Sequence, residues 1–360
     1  MHSFLSHLKE ADPKPFMSTT IRHISNFFDR WAPNETKLEY DNTGLLIGDA
    51  GQKITTVLTC LDVTLPVVQE ASDCGAQLIV AHHPLIFKPL KRITEQDSTG
   101  KIARELIRKN ISLFVSHTNL DAAKKGVSFE LANRLGLKHT GFLKLSQDSL
   151  RLVLLRLPGS LKDQAKEFLS SYTGDIGWSE EENNVAVARF QFDSIRLADL
   201  RSGLVKLFDG SPFTLTEIPA EGKSPEYGFG VIGKLESPMS REAFLDHVSE
   251  ALDARAVRYS GSRETISTVA VCGGAGSFLS GKAAAEKADA YVTGDIKYHE
   301  YFSDSDMLIV DAGHYETEAP IIAKMAAELR RAFPELRVEE TRCNTNPMKA
   351  HYSGNFIKQQ

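Results

Sequence analysis

Four short apolar runs, each ending in a histidine or a carboxylate, constrain the fold of this chain more than any other feature. Leu78-Ile79-Val80 leads into Ala81-His82-His83-Pro84, and Leu113-Phe114-Val115 into Ser116-His117-Thr118-Asn119-Leu120-Asp121. Ala290-Tyr291-Val292 leads into Gly294-Asp295-Ile296-Lys297-Tyr298-His299, and Met307-Leu308-Ile309-Val310 into the segment from Asp311 to Glu318. Short continuous apolar runs of this kind read as parallel strands buried on both faces. Open α/β sheets bind ligands beyond the carboxyl ends of their strands. Imidazoles and carboxylates from distant parts of the sequence are therefore expected on one rim, a collection suited to two divalent metal ions.

The stretches between these runs support the same class. A helix is expected from Thr20 to Trp31, because Ile21, Ile24, Phe28 and Trp31 share a face and Pro33 stops it. Strand-like and helix-like segments then alternate to Leu135, which argues for βαβ units and a mainly parallel sheet with flanking helices. The pattern changes near Leu150. From there to Ala220 come a strand, a helix, a strand, a helix and a last strand, enough for a small α+β module of its own. Past the linker-like Ala220-Glu221-Gly222-Lys223-Ser224-Pro225 the α/β alternation returns. The expected architecture is one discontinuous α/β domain, residues 17–149 and 221–360, with residues 150–220 inserted. Met1 to Phe16 read as a polar extension.

Composition excludes some classes and names none. The chain is 42% hydrophobic and 25% charged, with a formal charge of −5, so bulk charge gives no reason to expect nucleic acid or a membrane as partner. No apolar run is long enough to span a bilayer, and the first residues lack the apolar stretch of a signal peptide. The four cysteines form no C-x-x-C pair, which suits reduced thiols and a cytoplasmic location.

The chemistry rests on a conjunction. His82 and His83 stand at a strand end before Pro84, where the backbone can leave the sheet and turn both rings into one crevice. Asp121 follows a second strand. His314 and Glu318 are four apart and share one helical face. Three imidazoles and two carboxylates are too few to saturate two metals, and open positions mark a catalytic site. Two dications less two carboxylates leave about +2, a site for anionic ligands such as phosphates. Asp295, Lys297 and His299 form a polar group in which Lys297 can bind a substrate anion and His299 can act as acid or base. Asp41 and Asn42 read first as turn formers. Gly273-Gly274-Ala275-Gly276-Ser277 offers amides for a phosphate, but as a partial motif it reads first as a close-packed turn.

At these residues the chain resembles the Nif-three-like dinuclear metal-centre proteins, also called GTP cyclohydrolase 1 type 2 homologues. The resemblance runs from about Met17 nearly to the end. It is carried by Tyr40-Asp41-Asn42-Thr43-Gly44, Ala81-His82-His83-Pro84, His117 to Asp121, Cys272 to Ser277, Thr293 to His299, Gly313 to Glu318 and Asn344-Thr345-Asn346-Pro347. It implies metal ligands at His82, His83, Asp121, His314 and Glu318, two divalent ions per chain (zinc, iron or manganese), and a ring-shaped homohexamer. It also implies an inserted domain related to PII and CutA proteins at residues 150–220. The implied activity is metal-dependent hydrolysis of a nucleotide, with opening of the GTP purine ring by metal-bound water as the leading reaction. The alternatives are a metal-dependent regulatory or interaction protein without that activity, and a nucleotide phosphoesterase.

Overall fold

The computed structural model describes residues 18–146, 150–222 and 225–351; the expected extension, Met1 to Phe16, lies outside them. A first sheet orders its strands Gly44–Ile47, Ser112–Val115, Leu78–Ala81, Thr56–Cys60 and Arg337–Glu340. All pairings are parallel except the edge pair of Gly44–Ile47 with Ser112–Val115. Successive side chains on a strand face opposite ways, and both faces are used. Val57, Leu78 and Val80 pack against Ile21, Ile24 and Phe28 of helix Ile21–Trp31 and Ile321 and Met325 of helix Pro320–Ala332. Leu58, Ile79 and Leu113 pack against Val67 and Val68 of helix Leu65–Asp73 and Leu106 of helix Ser98–Arg108. Each such side chain, taken fully out of water, contributes about 1.5–3 kcal/mol, which is why these strands read as continuous apolar runs.

The second sheet orders Arg258–Ser260, Leu308–Asp311, Ala290–Gly294, Thr265–Ala275, Gly228–Ser240 and Lys138–Leu145. Its central three strands are parallel and the outer pairings antiparallel. The strands Lys138–Leu145 and Gly228–Ser240 are not expected from the sequence. The first carries exposed Lys138, His139 and Thr140, and the second is broken by Gly228, Gly230 and Gly233, so neither shows a clean apolar period. Helix Val127–Arg134 links the two units, because Val127 belongs to the core of the first sheet and Leu131 to that of the second.

Residues 150–222 form a separate four-stranded antiparallel sheet, ordered Gly177–Glu181, Val185–Asp193, Leu150–Pro158, Thr214–Pro219. Helices Lys162–Ser170 and Leu197–Phe208 complete a βαββαβ chain order of ferredoxin-like type. Leu155, Phe190, Leu169 and Leu204 share its own apolar core. The two ends meet: the Ala220 amide donates to the Leu150 carbonyl at 3.1 Å.

Candidate metal centre

The Leu78–Ala81 strand continues its ladder for two residues, with the His82 amide bonded to the Cys60 carbonyl (3.1 Å) and the His83 amide to that of Leu61 (2.9 Å). The chain then departs at Pro84, which has no amide hydrogen to offer. Both rings turn inward, 5.0 Å apart. The two adjacent side chains thus lie side by side rather than on opposite faces of the sheet.

Four imidazoles gather here, and each has its Nδ1 fixed. His82 Nδ1 lies 2.9 Å from the Ser116 carbonyl, His83 Nδ1 2.7 Å from Asp62, His117 Nδ1 2.9 Å from Asp41 and His314 Nδ1 2.8 Å from Asp295. Metal-binding histidines show this pattern: the outer nitrogen donates to a carboxylate or carbonyl, fixing the tautomer and leaving Nε2 to the metal. His83 Nε2 is 2.9 Å and His314 Nε2 3.1 Å from Glu318 Oε2. His82 Nε2 stands 3.6 Å from Asp121 Oδ1 and 3.8 Å from Glu318 Oε1, too far for hydrogen bonds.

Three overlapping groups have donor atoms within 4.8 Å of one another and could hold a metal ion: His82, His83, His117; His83, His314, Glu318; and His82, Asp121, Glu318. A buried polar atom without a partner is costly, and two of them face each other here: His82 Nε2 and Asp121 Oδ1. The nitrogen and oxygen donors fit a divalent transition metal.

Electrostatics follow from burial and from these contacts. Burial holds the His82 pKa below that of an ordinary histidine, so its ring is neutral with Nε2 free. Burial also opposes charge on His83 and His314. It is outweighed by Asp62 and Glu318 at His83, raised to about 10, and by Glu318 and Asp295 at His314, raised to about 9. Burial and the nearby Glu318 push Asp121 well above the carboxylate range. Glu318 is held well below it, against burial, by the imidazoles of His314, His82 and His83 that surround it.

The structure brings together all five predicted residues, His82, His83, Asp121, His314 and Glu318. It adds His117, whose ring is 5.2 Å from His82 and 5.4 Å from His83. A histidine directly after the neighbouring parallel strand was the available signal. Asp41 is no simple turn former: it is buried and accepts from the Thr118 amide at 3.0 Å while holding His117. Asp62 went unread because nothing in its local pattern separates it from an ordinary loop aspartate. The glycine-rich segment is no phosphate cradle. Gly273 to Ala275 finish strand Thr265–Ala275, and the Gly274 and Gly276 amides donate to the Thr317 and Thr293 hydroxyls, both at 3.0 Å.

Lys297 and His299 lie on an exposed turn, with His299 edge-on to Tyr298. Among the described residues no hydrogen bond, ion pair or ring contact joins either to the histidine cluster; Asp295 is the member of that group that reaches it. A cavity of about 840 Å³ opens beside His314, lined by Asp295, Gly313 and Glu316, by Arg134, Arg255 and Arg258, and by the further acids Glu250, Asp253 and Asp311.

A family model described as Duf34/NIF3 (NGG1p interacting factor 3) matches residues 19–347. This chain belongs to the Duf34/NIF3 family. Among its relatives, a Staphylococcus epidermidis protein called GTP cyclohydrolase 1 type 2 homolog is 30% identical over 91% of this chain and 99% of its own length. A Halalkalibacterium halodurans protein of the same name is 32% identical, over 81% of this chain and 87% of its own. The solved structure of a Bacillus cereus protein related to NIF3 superposes with a TM-score of 0.78 at 28% identity, over 93% of this chain and 99% of that one. A Staphylococcus aureus protein gives 0.74 at 29%, over 93% and 99%.

Proposed function

We propose that the cluster holds two divalent metal ions, of zinc, iron or manganese, and that the protein hydrolyses a nucleotide there, GTP ring opening being the leading reaction. The observation that carries this is the four imidazoles, each pinned at Nδ1, whose free edges share one crevice with Asp121 and Glu318. The name borne by the curated relatives supports the choice of GTP. When bound, paired metal ions supply Lewis acidity and an acidified water. The chain's own residues do the rest. Asp62, Asp41 and Asp295 orient the rings of His83, His117 and His314. Asp121 and Glu318 lend the negative charge that retains the ions. Arg134 and Arg255, which line the neighbouring cavity, meet the substrate phosphates; Lys297 adds a further cation and His299 carries protons to and from solvent. In this reading the chains assemble as a homohexamer in the cytoplasm. Among the described residues no helix is long and apolar enough to cross a membrane.

The test is purified protein with defined metal, GTP and a nucleotide panel, and products identified by mass spectrometry. Turnover of GTP that stops on chelation and in Glu318→Ala is expected. Metal-loaded protein that converts no nucleotide would overturn the proposal.

A further inference from the structure

A second cavity, of about 990 Å³, lies where the four-stranded sheet of residues 150–222 meets the rest of the chain. Its size is that of a small-molecule site. Tyr172, Arg189 and Arg196 line it from the four-stranded unit, and Trp31, Lys125 and Tyr227 from the other side. None of the histidine-cluster residues lines it.

Its charge departs from that of the chain. Five cations line the cavity (Arg30, Lys124, Lys125, Arg189, Arg196) against three acids (Asp175, Asp193, Glu226), in a protein whose formal charge is −5. Glu226 pairs with Lys124 at 3.4 Å, which leaves four cations against two acids, and one of these acids, Asp193, accepts from the Ile195 amide at 3.0 Å. Arg196 lies over the Tyr172 ring, 5.1 Å from its centre, and its Nε is buried without a hydrogen-bond partner. The aromatic ring positions the guanidinium at the cavity wall, and its fork of N–H groups is suited to receive an anion. The Trp31 indole, opposite, is fixed by its nitrogen donating to the Lys124 carbonyl at 3.2 Å.

We infer that this junction cavity binds a phosphorylated aromatic small molecule of mononucleotide size. Arg189 and Arg196 take the phosphates, because planar guanidinium groups match phosphate oxygens two at a time. Trp31 and Tyr172 offer ring surface to the base, a contact that tolerates any base because each has a flat face. The site is independent of the metal reaction proposed above and stands whether or not that reaction occurs.

The chain has two tryptophans, Trp31 and Trp178, so full-length protein carrying Trp178→Phe reports on the cavity through Trp31 fluorescence. Metal is removed with EDTA and ADP is the probe. Saturable quenching is expected. It should weaken at least tenfold in Arg189→Gln and in Arg196→Gln and remain unchanged in His314→Ala. Adenosine and pyrophosphate should each bind more weakly than ADP. Arg189 is exposed on its strand, so Arg189→Gln keeps the test open if Arg196→Gln fails to fold. Absence of saturable quenching at millimolar ADP overturns the inference. So does unchanged affinity in Arg189→Gln, loss of quenching in His314→Ala, or pyrophosphate binding as tightly as ADP.

Discussion

Glu318 occupies the space that a side chain on Gly274 would need: a Cβ built there would stand 2.1 Å from Glu318 Oε1. Gly274 also has φ +62°, in the left-handed region that favours glycine. Gly274→Ala must therefore displace Glu318 or shift the strand end. We expect it to lose metal while keeping its secondary structure, with backbone strain of about 1–3 kcal/mol lowering the melting temperature. Elemental analysis beside a thermal melt checks both. Wild-type metal content in Gly274→Ala would show that the ions do not depend on Glu318 where it stands.

Ligands and their anchors should fail differently. His314→Ala removes a donor, so metal should fall from near two ions per chain to one or none. Asp62→Ala leaves every donor in place and frees only the His83 ring, which Asp62 holds at 2.7 Å while Thr345 holds Asp62 at 2.6 Å. Loss of such an outer partner typically weakens metal affinity about 10–100-fold. Chelator competition distinguishes the two. Equal affinity in Asp62→Ala and wild type would remove Asp62 from the design of the site.

Five of the six donors were legible in the sequence because the fold displays them: each follows a buried strand, and buried strands announce themselves as apolar runs; His117 was added by the structure. The anchors were not. Asp62, Asp41 and Asp295 act across 21, 76 and 19 residues of chain, and no local periodicity reports a contact of that range. The second sheet shows the same limit. Its parallel strands were legible at Val269–Val271, Ala290–Val292 and Met307–Val310. Lys138–Leu145 and Gly228–Ser240 were not, since an edge strand with one solvated face and a glycine-interrupted neighbour lose the apolar signal.

Chelated protein should grow less stable as pH rises. His83 and His314 titrate near 10 and 9 in the folded chain and near 6.5 when unfolded. Groups raised in this way contribute stability fully below about pH 6.5 and lose it as pH climbs through the folded values. Glu318, depressed by its imidazole partners, works in the opposite sense; its contribution is present above the ordinary carboxylate range and is lost only as strong acid protonates it. The melting temperature without metal should therefore fall between about pH 7 and 10. Metal-loaded protein should fall less, because bound ions replace those protons. Melts at matched ionic strength, with and without EDTA, provide the comparison. A flat profile without metal would mean that the two imidazoles are not held charged by Asp62, Asp295 and Glu318.

Removal of residues 147–224, by joining Ser146 to Pro225 through a short Gly/Ser linker, should leave metal binding and both larger sheets intact. The four-stranded unit has its own apolar core and none of the six clustered donor residues. Its ends lie side by side at Leu150 and Ala220, and across the cut the Ser146 amide already bonds to the Tyr227 carbonyl at 2.9 Å. Insertions with close ends are the kind a host fold tolerates. Light scattering, circular dichroism and metal analysis on the shortened chain test the division. It should retain near-stoichiometric metal and lose the ADP response of the junction cavity, whose Tyr172, Arg189 and Arg196 would be gone. If the shortened chain fails to fold or loses its metals, residues 150–220 are not an independent unit, and the core around Val127 and Tyr227 depends on them.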